Sequence, residues 1–84
     1  SVLLQRAPNG IDVPSIAEQL RVPGVISVHD LHIWELISGL NVASVHLDVS
    51  TGSDFNRVLK EVKRVFHRNK IHSCTVQPEF VDPR

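Results

Sequence analysis

Leu40-Asn41-Val42-Ala43-Ser44-Val45-His46-Leu47-Asp48-Val49, then Ser50-Thr51-Gly52-Ser53-Asp54, then Phe55, Val58, Leu59, Val62, Val65 and Phe66 at three- and four-residue spacing, decide the fold. Along the first segment Val45, Leu47 and Val49 alternate with Ser44, His46 and Asp48, the period of two that gives a strand one apolar and one polar face. The loop that follows supplies capping residues. The last six positions form one stripe of an amphipathic helix, with Arg57, Lys60, Glu61, Lys63, Arg64 and Arg68 on the solvent side. A strand that turns directly into a helix of this kind makes a crossover, so the strand after the helix is expected to pair parallel.

Upstream, Val25 to Ile37 is rich in Val, Ile, Leu and Trp, and Ser38-Gly39 separates it from Leu40, so the two runs read as a hairpin. Alternation is imperfect in the first run, and a bulge is expected near Asp30. Before it, Ala7-Pro8-Asn9-Gly10 signals a turn, and Asp12 followed by Val13-Pro14 reads as a helix cap with proline in the first turn. Val13, Ile16 and Leu20 give that helix its apolar stripe, and Val22-Pro23-Gly24 ends it. Downstream of the second helix, Asn69-Lys70 is a stop, and Ile71 to Gln77 is a third strand, with Pro78 marking an edge or an end.

The order helix, strand, strand, helix, strand fits two layers: both helices on one face of a three-stranded mixed sheet, an α+β αββαβ architecture. The other sheet face is left open, and Trp34, Val42 and Val76 are expected to line it and to favour burial against a second copy.

Composition bounds the function. The chain has 84 residues, 42% of them apolar, which makes one small domain. Such a domain removes only about 60–65% of its unfolded surface from water, so self-association would help it. Nine basic and nine acidic residues cancel, giving no whole-chain field for nucleic acid. Cys74 is the single cysteine, so there is no internal disulfide. No apolar run approaches the 18 or so residues that span a bilayer, no signal peptide is recognisable, and the chain is expected to be soluble as given. It starts at Ser1 without an initiating methionine, as expected of a domain from something longer.

No serine, histidine and acid set, glycine-rich phosphate loop or catalytic carboxylate pair is at recognisable spacing, so an enzyme, and with it a small organic substrate, is not expected. The chain also lacks tyrosine, and its phenylalanines fall outside the sheet centre, against base stacking of the RNA-binding type. The basic face of the second helix reads as a solvated face, ahead of a contact for anionic lipid or nucleic acid.

What remains is metal chemistry. His29 and His32 lie three apart in an extended segment and share a face only if a bulge intervenes. His46 sits in the hairpin partner, within reach of one of them. His72 and Cys74 are two apart on the last strand, with Glu79 just beyond. Imidazole, thiolate and carboxylate suit Zn²⁺ better than Ca²⁺ or Mg²⁺. Separate structural histidines, a buried inert Cys74, and an Asp30 that caps a turn or orients an imidazole are the competing readings.

Leu4-Gln5, Pro23-Gly24-Val25, Val28-His29-Asp30-Leu31-His32-Ile33-Trp34, Ala43-Ser44-Val45-His46 and Ile71-His72-Ser73-Cys74-Thr75-Val76-Gln77-Pro78-Glu79-Phe80 together resemble the cytoplasmic C-terminal domain of cation diffusion facilitator zinc transporters. The likeness covers almost the whole chain and is nearest to eukaryotic exporters, including the fungal vacuolar type. It implies a ferredoxin-like domain, residues 1–84, attached to a transmembrane domain that exchanges Zn²⁺ for protons, with the cytoplasmic domains forming a homodimer. It implies the cytosolic face of an endomembrane such as the vacuole, with the plasma membrane as the other location. By position it implies a metal site on His29, His46, His72 and Glu79, with Asp30, His32 and Cys74 as additional or supporting groups. A dimerisation module that senses no metal is the alternative.

Overall fold

The computed structural model describes residues 7–37 and 39–84. Leu4-Gln5 of the family likeness and Ser38 of the hairpin turn lie outside the described residues.

The elements are α1 (Val13–Gln19), β1 (Val25–Ile37), β2 (Leu40–Ser50), α2 (Phe55–Arg68) and β3 (Ser73–Val81). Each helix starts where an aspartate can take up free amides. Asp12 accepts from the Ser15 N–H at 3.1 Å, and Asp54 accepts from the Asn56 and Arg57 N–H groups at 3.0 and 3.4 Å. α2 ends at Asn69, after which Lys70 turns into the left-handed region at φ 66°, a conformation that breaks the helical ladder. The Asn69 side-chain amide donates to the Val65 carbonyl at 2.8 Å and to Gln19 Oε1 at 3.0 Å, tying the end of α2 to α1.

The sheet order is β1-β2-β3. β1 pairs antiparallel with β2, and β3 pairs parallel with β2 after the α2 crossover. Ala43, Val45, Leu47 and Val49 of β2 are all buried, as are Ile16 and Leu20 of α1 and Val58, Val62, Val65 and Phe66 of α2. These residues form one cluster with Ile33 and Ile71. Both helices therefore cover the same sheet face, each fully buried apolar side chain contributing roughly 1.5–3 kcal/mol relative to exposure.

Two local expectations change. β3 runs from Ser73 to Val81 rather than stopping at Gln77, and Pro78 sits inside it, opposite Leu47. As an edge strand, β3 is laddered on one side only, which accommodates a proline. Val76 pairs with the buried Val45 and packs against the core, so it belongs to the covered face and not to the open one. Parity decides this: Val76 has Val45 as its neighbour, whereas Trp34 pairs with Val42, one residue out of phase with buried Ala43. Trp34 and Val42 do line the open face.

Candidate metal centre

Register brings the open-face groups together. His29 stands directly opposite His46, and the next paired positions are His32 and Ser44. Three steps on β1 thus match two on β2, so one residue of β1 is extra, a bulge. Asp30 adopts φ 54° within it, a left-handed conformation that aspartate tolerates better than most residues. The bulge has two effects. It returns His32 to the same face as His29, and it swings the Asp30 carboxylate over that face, between the two imidazoles.

Asp30 Oδ2 lies 3.1 Å from His46 Nδ1 and 3.4 Å from His29 Nδ1. The other nitrogen of His29, Nε2, lies 3.4 Å from Asp48 Oδ1. Asp48 is held in turn by the Ser27 hydroxyl, which donates to Oδ2 at 2.5 Å. The two imidazole rings meet edge to face with centroids 5.4 Å apart. His29, Asp30 and His46 each present a donor atom, all within 4.8 Å of one another. Their side chains are 44%, 65% and 46% exposed, so an ion can reach them from solvent.

The electrostatics follow from this geometry. The Asp48 hydrogen bond, with a smaller contribution from Asp30, raises the His29 pKa above its ordinary 6.5 against a lesser opposing effect of desolvation. Hydrogen bonds from His46 and then His29 hold the Asp30 carboxyl below the usual 3.8. Asp48 is lowered by Ser27 first and His29 second. A carboxylate behind one imidazole nitrogen fixes ring orientation and raises basicity at the other, the arrangement found around histidine metal ligands. Two imidazoles and a carboxylate match the donor preferences of Zn²⁺ and neighbouring transition-metal ions, and are too few oxygens for Ca²⁺.

Glu79 joins this region. It pairs with Asp48 across β2 and β3 and lines, with His29, His46, Gln77 and Pro78, a cleft of about 380 Å³. His32 lies on the same face farther along. His72 does not join it. It precedes β3 beside Asn41, its N–H donating to the Asn41 carbonyl at 2.9 Å and its Nδ1 accepting from the Asn41 N–H at 3.3 Å. Asn41 is five residues before His46 on β2, about 16 Å at the rise of an extended strand. Cys74 is half-buried against the core, and that burial pushes its thiol pKa up despite the nearby Lys63 ammonium. An inert thiol fits that setting. Asp48 was not singled out by sequence, although its position two residues from His46, on the same strand face, was the available signal.

Comparison with known proteins converges on one family. The family model for the cation efflux protein cytoplasmic domain matches residues 8–81. The chain is 44% identical over 82 residues to the vacuolar zinc transporter ZRC1 of Saccharomyces cerevisiae, covering 95% of this chain and 19% of that protein. It is 39% identical over 82 residues to the mouse calcium/manganese antiporter SLC30A10, covering 96% and 17%. It is 40% identical over 80 residues to the human proton-coupled zinc antiporter SLC30A1, covering 94% and 16%. The chain thus spans less than a fifth of the length of these relatives. Among solved structures, the metal-bound C-terminal domain of the CzcD transporter from Cuprividus metallidurans superposes with a TM-score of 0.75 at 36% identity, covering 82% of this chain and 99% of that one. With the match extending over nearly all described residues and the same αββαβ order, this chain belongs to the cation efflux proteins, as their cytoplasmic domain.

Proposed function

We propose that this domain binds cytosolic Zn²⁺ on the open face of its sheet and, as a homodimer, uses that binding to regulate a proton-coupled transporter that moves Zn²⁺ out of the cytosol. The observation that carries the reading is the convergence of His29, Asp30 and His46 within 4.8 Å on a solvent-accessible face. Glu79, which lines the same cleft, supplies a fourth donor for four-coordinate zinc. His72, at the far end of β2, enters such a centre only from a second copy.

Zinc is favoured over other divalent ions by the imidazole-rich donor set and by the names of the relatives, two of which are zinc transporters. The transmembrane part and its transport reaction lie outside this chain, and residues 1–84 are its C-terminal regulatory domain. The likeness to a vacuolar transporter, at 44% identity, favours the cytosolic face of an endomembrane such as the vacuole; the likeness to SLC30A1 keeps the plasma membrane as the second location. The domain itself carries no catalytic role.

Regulation follows from linkage. An ion that prefers one dimer geometry raises the population of that geometry, and the geometry raises the ion's affinity by the same factor. Calorimetry on the metal-stripped chain with light scattering in parallel tests this, comparing wild type with His29→Ala/His46→Ala. Binding that is lost in the double variant, with a zinc-dependent change in association or inter-subunit distance, is the expected result. A dimer that forms without specific zinc binding would leave the domain as a scaffold only.

A further inference from the structure

A second cleft lies away from the one that holds His29 and His46 and shares no lining residue with it. It has a volume of about 580 Å³ and runs between α2 and the start of β3, lined by Lys60, Lys63, Arg64, Phe66, His67, Ile71, His72, Ser73 and Cys74. Three of those side chains are lysine or arginine and two are imidazoles. No carboxylate lines it.

Charge segregation makes this cleft more than a solvated helix face. Six of the nine basic residues of a neutral chain (Arg57, Lys60, Lys63, Arg64, Arg68 and Lys70) fall between positions 57 and 70, a span whose single acid is Glu61. Glu61 is taken by Arg57 in an i, i+4 pair. Among the described residues, Lys60, Lys63 and Arg64 have no ion-pair partner. They repeat at i, i+3 and i+4, with His67 at i+7, so all four share one helix face and the like charges repel. The helix dipole accounts for cations in the last turn, where His67 and Arg68 sit, but not for Lys60 and Lys63 one to two turns earlier. His72 adds a directed donor: with Nδ1 accepting from the Asn41 N–H, a neutral ring carries its proton on Nε2.

We propose that this cleft binds a small phosphorylated anion, whose phosphoryl oxygens are taken by Lys60, Lys63 and Arg64 with N–H donors from the cleft histidines. Several phosphoryl groups suit the site best, because three cations along one helix face match a chain of charges better than a single one. Arg64 can engage two oxygens of one phosphoryl group, and the lysines act as point charges beside it. The same chemistry is offered by a free polyphosphate and by a phospholipid headgroup.

Tripolyphosphate is the soluble probe and phosphatidylcholine vesicles containing phosphatidylserine are the membrane probe, each added to the whole 84-residue chain at fixed ionic strength while backbone amide resonances are followed. Tripolyphosphate is expected to shift the amides from His67 to Cys74 and to leave those of His29 and His46 in place. Lys63→Gln/Arg64→Gln should weaken it by about tenfold or more, the loss of charge-assisted contacts. Lys63→Arg/Arg64→Lys should restore it, and Arg21→Gln should have no effect. Binding of the vesicles alone, lost in the same Gln variant, would uphold the site and assign the lipid headgroup as source. No response to either probe, or equal binding by the Gln variant, would overturn the proposal. Lys60→Gln alone, at an exposed position of the cleft wall, provides the same comparison should the double variant unfold.

Discussion

Asp30 Oδ2 lies 3.1 Å from His46 Nδ1 although the two residues belong to different strands and Asp30 has no paired partner on β2. The contact exists because the β1 bulge turns Asp30 to φ 54°. Asn is also tolerated in that conformation, so Asp30→Asn is expected to retain the fold while removing the charge. Zinc affinity should fall about 10–100-fold, as when a supporting or ligating group is altered, with a small drop in the denaturation midpoint from the lost contacts of the carboxylate with His46 and His29. Asp30→Val, which resists left-handed backbone, should in addition cost about 1–2 kcal/mol in urea unfolding.

Proton competition at the centre has a definite sign. The folded-state pKa of His29 is raised above 6.5 by Asp48 and Asp30. Its contribution to the stability of the metal-free domain is therefore complete below pH 6.5 and is lost as pH rises through the raised value. Asp30 and Asp48, lowered from 3.8, contribute above that pH and lose their contribution as it falls. Thermal unfolding of the metal-stripped chain between about pH 5 and pH 9 should show a decline on the alkaline side that His29→Asn removes. Zinc affinity should run the opposite way, weakening as pH drops and starting to do so above pH 6.5, because protons compete for the same nitrogen.

Glu79→Gln separates coordination from folding. Glu79 is exposed at the edge of the sheet and lines the cleft beside His29 and His46. The substitution should leave stability within about 0.5 kcal/mol of wild type, as for exposed positions generally. It should lower zinc affinity about tenfold, the loss of one donor from the set. Calorimetry and urea unfolding on the same sample check both halves.

A steric prediction concerns the turn that launches β1. Gly24 has φ 98°, and a Cβ placed there would meet Val58 Cγ2 at 2.9 Å and Ser53 Cβ at 3.0 Å. Val58 is fully buried in α2 and cannot yield without disturbing the core. Gly24→Ala should destabilise by about 1–3 kcal/mol through backbone strain and overpacking together, measured as a lower urea midpoint with unchanged slope.

Fold and site differ in how far sequence reveals them. The period of two in Val45, Leu47 and Val49, the three- and four-residue spacing from Phe55 to Phe66, and the capping aspartates Asp12 and Asp54 are local signals, and the structure follows them. Parallel pairing of β3 also follows, from the crossover alone. Val76 was misplaced because an isolated strand shows which residues share a face but not which face meets the helices; that depends on pairing with Val45. Of the two meanings Pro78 carries, edge or end, the edge holds and β3 runs on past Gln77; only the sheet order decides between them. In the site, the opposition of His29 and His46 was foreseeable from the hairpin, whereas the separation of His72 depends on register between strands joined by a whole helix. The involvement of Asp48 lay in strand parity, and its 3.4 Å approach to His29 is a matter of side-chain geometry that spacing does not carry.

Skipping Asp30, β1 reads Val28 inward, His29 outward, Leu31 inward, His32 outward, Ile33 inward and Trp34 outward, an unbroken alternation against β2. Hairpin pairing would close without that residue, three steps on β1 becoming two to match His46 and Ser44. Asp30 is thus one residue more than the pairing of β1 with β2 needs between Val28 and Trp34, and what it adds there is a carboxylate set between two imidazoles. A chain with Asp30 deleted should keep its sheet, its core and its turn, and lose the carboxylate that joins the two imidazoles.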